Sequence, residues 1–70
     1  MGNIMEILLS ELIVKKNKLE TELGRLINDN TSEINLQVTK SLYCLKEISQ
    51  TYNEIELITE YITKSKEKQN

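Results

Sequence analysis

The chain has 70 residues, with one cysteine, no histidine and a formal net charge of −2. A single cysteine excludes a disulfide framework, and without histidine we expect no zinc site, no other metal and no cofactor. The nine lysines and arginines are spread along the chain, which disfavours a nucleic-acid-binding surface. A domain this small buries only about 60% of its unfolded surface, so we expect another polypeptide to supply the missing stability.

The segment 4–14, IMEILLSELIV, is the most apolar part of the chain, with eight apolar residues among eleven. It is too short to span a bilayer and it contains Glu6 and Glu11, so we expect no membrane insertion. It also lacks the positively charged flank and the small-residue cleavage site of a secretory signal. The sequence therefore predicts a cytoplasmic protein, in which the free thiol of Cys44 is ordinary.

Apolar residues recur at helical spacing over residues 4–27, and no proline interrupts them. Over residues 19–27 they form a narrow stripe, as expected of a helix that packs against one neighbour. Over residues 4–14 they point to nearly every side, and one neighbour cannot cover them all. A polar stretch at about residues 28–32 then predicts a short loop, which places the next helix antiparallel to the first.

The second helix is predicted over residues 33–63, followed by a frayed basic tail over residues 64–70. We expect one all-α domain over residues 1–70, an antiparallel two-helix hairpin of the coiled-coil type. Two such hairpins could pair into a four-helix bundle. The predicted hairpin core consists of two facing stripes: Met5, Leu8, Leu12, Leu19, Leu23, Leu26, Val38, Leu42, Leu45, Ile48, Tyr52, Ile55 and Ile62.

Several large apolar residues fall outside both stripes. Ile7 and Val14 point away from the first stripe, while Leu57 and Tyr61 are i,i+4 neighbours on the back of the second helix. A small domain rarely leaves such patches uncovered. We therefore predict a protein-binding surface, covered either by a second copy of the chain or by a different protein. Its residues are Ile4, Ile7, Val14, Tyr43, Leu57 and Tyr61.

No group of residues indicates catalysis. Without histidine, acid–base work would fall to carboxylates, lysines or tyrosines, and the glutamates lie mostly on polar helix faces. Cys44 would need a neighbouring base or cation to act as a nucleophile, and at the edge of its stripe it fits a small buried hydrophobe. We expect no enzymatic activity.

An amphipathic MEILL segment near the start and a segment near the end, in which Ile58 and Ile62 lie on either side of Tyr61 at helical spacing, frame the hairpin. The positions after the MEILL segment that carry the pattern are Leu19, Leu26, Ile48, Ile55, Ile58 and Tyr61. This layout, over most of the chain, resembles the smallest co-chaperones of bacterial type III secretion needle subunits, the E-type partners. The resemblance implies a cytoplasmic complex in which the hairpin and a larger helical-repeat partner keep the needle subunit soluble and unpolymerised. Leu57 and Tyr61 would then contact a partner.

A second resemblance is local and offers an alternative function. Ser49 and Gln50 match the start of the Ser-Gln-x-Leu-Asp signature of the small sporulation-phosphorelay aspartyl-phosphate phosphatases, which are also helical hairpins. Tyr52 stands in place of the leucine and Asn53 in place of the acidic residue. This resemblance implies removal of the phosphoryl group from a phosphorylated response regulator.

Overall fold

The structure, a computed structural model, describes residues 4–29 and 33–68, with side chains as far as Lys66. It consists of two helices, α1 (Ile4–Ile27) and α2 (Ile34–Lys68). The helices pack antiparallel in a hairpin of 56 × 19 × 13 Å. The predicted all-α hairpin is therefore confirmed.

The end of α2 differs from the prediction. The helix continues to Lys68 instead of ending near residue 63, so the basic tail is helical as far as it is described. Lysines near a helix C-terminus interact favourably with the helix dipole, which is a physical reason for this extension. Residues 30–32 of the predicted loop and residues 69–70 of the predicted tail lie outside the described residues.

The last carbonyls of α1 accept hydrogen bonds from backbone and side-chain donors beyond the helix end. The backbone N–H of Asn28 donates to the Gly24 carbonyl at 3.1 Å, and that of Asp29 donates to the Leu26 carbonyl at 3.4 Å. The side-chain amide of Asn28 donates to the Gly24 carbonyl at 2.9 Å. The side-chain amide of Gln37 reaches back from α2 and donates to the carbonyls of Leu26 and Ile27. Gln37 thereby ties the first turns of α2 to the end of α1.

The helices meet along a line of positions spaced alternately by three and four residues, the spacing of a coiled coil. We call these positions the inner seam, and each is buried or half-buried in the structure. On α1 the inner seam is Met5, Leu9, Leu12, Lys16, Leu19, Leu23 and Leu26. On α2 it is Gln37, Ser41, Cys44, Ile48, Thr51, Ile55, Ile58 and Ile62.

The core of the described structure is small. Its buried apolar side chains are Leu26, Cys44 and Ile48, joined by the polar Thr51, which is completely buried. The thiol of Cys44 donates to the backbone carbonyl of Leu19 at 3.2 Å, so a side chain of α2 reaches the main chain of α1. This close approach requires small residues, because a larger side chain at this position would push the helices apart.

The predicted core is corrected by this packing at five positions. Leucines 19 and 23 pack against the core and Leu26 and Ile48 are buried, and Met5, Leu12, Ile55 and Ile62 are half-buried. At four positions of α2, however, the predicted apolar residue lies one position after the residue that faces α1. Smaller or polar residues of the inner seam face α1 at these places, and on α1 Leu9 faces α2 in place of Leu8. The predicted core residues that lie exposed are Leu8, Val38, Leu42, Leu45 and Tyr52.

Candidate partner-binding surfaces

The described structure leaves most of its large apolar side chains outside the core. Fifteen of them are exposed, against three buried apolar residues. Scattered exposed leucines are normal in small proteins, whereas contiguous apolar patches mark contact surfaces. Most of the exposed residues here fall on a groove near the chain ends, on the outer side of α1, or on a stripe along the first half of α2.

The first surface is a groove at the end of the hairpin away from the turn, which we call the open-end groove. Leu57 and Tyr61, one turn apart on α2, form one wall, and Leu8 and Leu12, one turn apart on α1, form the other. Leu57 is 56% exposed and Tyr61 60% exposed. The groove is completed by Glu54 and Ile58. The structure therefore brings the predicted pair Leu57 and Tyr61 together with residues of the opposite helix.

One polar atom of the open-end groove stands out. The Oε1 atom of the Glu54 carboxylate is buried and has no hydrogen-bond partner within the described part of the chain. A buried carboxylate oxygen without a donor costs free energy, and a donor from outside the chain would relieve that cost once the Glu54 side chain turns outwards. The groove thus combines apolar walls with one acceptor that its own helices do not satisfy.

The outer side of α1 adjoins this groove. Ile4 is 74% exposed and lies one turn before Leu8, so it extends the groove towards the chain start. Ile7 and Val14, seven residues apart, lie on one face of the helix and are both at least half exposed. These three predicted residues are therefore exposed on the first half of α1, where Ser10 and Glu11 lie between Ile7 and Val14.

Tyr43 does not join Leu57 and Tyr61. It lies nearer the turn, about 21 Å from Leu57 and about 27 Å from Tyr61 at 1.5 Å per residue. It lines a separate depression with Leu19, Arg25 and Lys40. At the rim, the Arg25 guanidinium donates to the Glu22 carboxylate. This hydrogen bond holds the pKa of Glu22 below its ordinary value and raises the pKa of Arg25.

A further surface was not expected as a binding site. Val38, Leu42 and Leu45, predicted to be core, form an exposed apolar stripe on α2, and Ile34 extends it towards the turn at 75% exposure. We call these residues, with Ser49 and Tyr52, the outer seam. Except for Ile34, each lies one position after an inner-seam residue, so the two seams run side by side along the helix. In the sequence, the outer seam is indicated by this second set of positions spaced by three and four residues.

Tyr52 is the last residue of the outer seam, and its side chain contacts α1. Its hydroxyl donates to the Glu20 carboxylate at 2.9 Å, and the Lys16 ammonium lies 5.4 Å from the centroid of its ring. Lys16 and Glu20 form an ion pair at 3.6 Å. Because its polar end is engaged in this way, Tyr52 is a bridge between the helices, and the unpartnered part of the outer seam is residues 34–45.

The candidate catalytic residues take ordinary structural positions or lie on the surface. Cys44 is 3% exposed and its thiol is engaged with the carbonyl of Leu19, which fits a packed side chain. Ser49, Gln50 and Asn53 of the phosphatase-like segment are exposed on α2. Among the described residues, no group of three or more Cys, Asp or Glu side chains is arranged to hold a metal ion.

The chain matches no protein-family model, no curated protein and no solved structure. The two family resemblances therefore rest on the residues that carry them. In the described part of the chain, neither helix offers a stretch of the length and apolarity that crossing a bilayer requires.

Proposed function

We propose that this chain is a protein-binding hairpin that covers an apolar segment of another protein in its open-end groove. The observation that carries the proposal is the groove itself, in which Leu8, Leu57 and Tyr61 present exposed apolar surface around Glu54. A surface of this kind binds partners well because its apolar walls supply free energy and a single polar group fixes orientation.

The groove suits an amphipathic helix more than an extended strand. Both of its walls are helices, and a third helix can lay residues spaced by three and four along the line between them. Glu54 then calls for a donor on that helix, such as lysine, arginine or a hydroxyl side chain. We expect a partner helix with an apolar face and one such donor within that face.

The particular role that we propose is that of a cytoplasmic co-chaperone for a type III secretion needle subunit. The layout of the hairpin resembles the E-type co-chaperones, and the two residues that this resemblance assigns to partner contact, Leu57 and Tyr61, lie on the groove wall. Covering an apolar helix of a self-assembling subunit would keep it from polymerising. Binding, not catalysis, is the activity proposed.

The test is a reconstitution with the needle subunit and the helical-repeat co-chaperone from the same cell. We expect the chain to keep the needle subunit in the supernatant on centrifugation. Replacing Leu57→Ser and Tyr61→Ser together should weaken binding by about a hundredfold, because two contacts worth about 1.4 kcal/mol each are lost. Glu56→Ser with Glu60→Ser is the matched control, since both residues are exposed on the same turns of α2.

Two results would contradict the proposal. One is unchanged binding by the Leu57 and Tyr61 double variant when its helicity by circular dichroism equals that of the parent chain. The other is needle filaments that form at the same rate with and without the hairpin and its helical-repeat partner.

A phosphatase role is the second candidate. What supports it is that Ser49, Gln50 and Asn53 are exposed and so accessible to a phosphorylated protein. What weighs against it is the amide of Asn53 in the place of the signature's acidic group. If a phosphorylated receiver domain keeps its acyl phosphate in the presence of stoichiometric chain, this candidate is eliminated.

A further inference from the structure

The helix α2 carries apolar residues on two adjacent faces, and only one of these faces meets α1. An amphipathic helix with one neighbour carries one apolar stripe, whereas α2 carries the inner seam and, one residue further on, the outer seam. In the first third of α2, residues 34–45, the larger apolar side chains are on the outer seam. Val38, Leu42 and Leu45 are exposed there, while Ser41 and Cys44 face α1. The apolar stripe of this part of α2 is therefore unused within the hairpin.

The solvent-exposed area of the chain is larger than that expected of a compact monomer of the same mass. The chain exposes 5825 Å². A compact monomer of 8.1 kDa is expected to expose about 4,500 Å². The excess is about 1,300 Å², part of which follows from the elongated shape of the hairpin, and a standard interface takes about 800 Å² from each partner. The hairpin therefore has enough exposed surface for an interface of standard size.

The chemistry of the outer seam fits a copy of itself. Ile34, Val38, Leu42, Leu45 and Ser49 carry no charge. Two outer seams can thus face each other about a two-fold axis without burying like charges, and each leucine meets an apolar side chain. The open-end groove is different, because its buried Glu54 oxygen requires a donor. The outer seam requires only apolar surface.

We propose that a second copy of this chain packs on the outer seam, so that two hairpins form a four-helix bundle. The two-fold axis passes near Leu42 and Leu45, at the middle of the seam. Leu45 is about 18 Å from Leu57 along α2, at 1.5 Å per residue. The dimer therefore leaves the open-end groove free, and the two proposals stand or fall separately.

The first measurement is the mass of the untagged full chain by sedimentation equilibrium. At about 50 µM, above the micromolar dissociation constants of weak interfaces of this size, we expect twice the chain mass of 8.1 kDa. No other protein is added, so a failure of the needle-subunit proposal does not affect this result. A mass of one chain at this concentration overturns the dimer.

The second measurement assigns the face. Leu42→Lys with Leu45→Lys should give the mass of a single chain, because two charges would be buried on each side of the interface. The matched control, Thr39→Lys with Gln50→Lys, adds the same charge to exposed positions on the back of α2 and should remain dimeric. If the Leu42 and Leu45 variant remains a dimer while the Leu57 and Tyr61 variant has the mass of a single chain, the assignment of the interface to the outer seam is wrong.

A third variant covers the case in which the charged chain does not fold. Leu45→Cys places a thiol near the proposed axis, and oxidation should join two chains through it. Gln50→Cys, on the back of the helix, should give at least tenfold less cross-linked product. The native Cys44 is buried in the hairpin, so it adds little background. Equal cross-linking at both positions contradicts the proposed interface.

Discussion

At the scale of single residues, Thr51 shows how closely the two helices approach. It is polar yet completely buried, and its hydroxyl donates to the carbonyl of Glu47 one turn earlier at 2.7 Å. The hydroxyl is therefore satisfied within α2, and only the small size of the side chain matters to α1. A seam position of this kind tolerates no added volume without moving the helices apart.

We expect Thr51→Leu to lower the free energy of unfolding by about 1–3 kcal/mol, the usual cost of overpacking. Thr59→Leu is the matched control, because Thr59 also bonds the carbonyl one turn earlier but is exposed. Its effect should stay within about 0.5 kcal/mol. Urea unfolding followed by circular dichroism measures both. Equal losses for the two variants would show that Thr51 does not set the helix spacing.

At the scale of the helix, Gly24 is the weak point of α1. It lies near the C-terminal end with ordinary helical backbone, and a Cβ added there meets no described atom within 4 Å apart from its chain neighbours and the backbone of its own helix. Glycine in a helix costs about 1 kcal/mol relative to alanine. Gly24→Ala should therefore raise the free energy of unfolding by up to about 1 kcal/mol, measured by thermal or urea unfolding. A loss of stability would contradict this and would indicate a close contact from another chain.

The helices and their pairing could be predicted from the sequence, whereas the face of α2 that meets α1 could not. Regular apolar spacing and the absence of proline predict the bounds of α1 and the start of α2. Because Val38 and Leu42 have large apolar side chains, the sequence predicts them in the core. The two helices approach so closely, however, that the smaller Ser41 and Cys44 face α1 instead. When a helix carries two adjacent stripes, the spacing of residues does not decide which stripe faces the neighbouring helix, and the packing of the two helices does.

The open-end groove, too, could be predicted from the sequence only in part. Leu57 and Tyr61 could be identified because they lie outside any stripe that faces α1 and are one turn apart. Leu8 was assigned to the core, and only the packing of α1 places it on the groove wall. The buried oxygen of Glu54 depends on both helices and has no signal in the sequence.

At the scale of the whole molecule, the hairpin buries too little to be firmly stable alone. Three buried apolar residues and one threonine form the core of the described structure, while fifteen large apolar side chains remain exposed. Chains of this size usually need a staple or a partner. We attribute the missing stability to contacts with other chains, first a second copy on the outer seam and then a partner in the open-end groove.

The central claim is that this chain is completed by other chains, and urea unfolding at two chain concentrations tests it most directly. Between about 1 µM and about 100 µM, mass action should move the unfolding midpoint to higher urea, because the folded state is an assembly. Circular dichroism at both concentrations measures the shift. Superimposable curves with a free energy of unfolding above about 5 kcal/mol, typical of a self-sufficient domain, would contradict the claim.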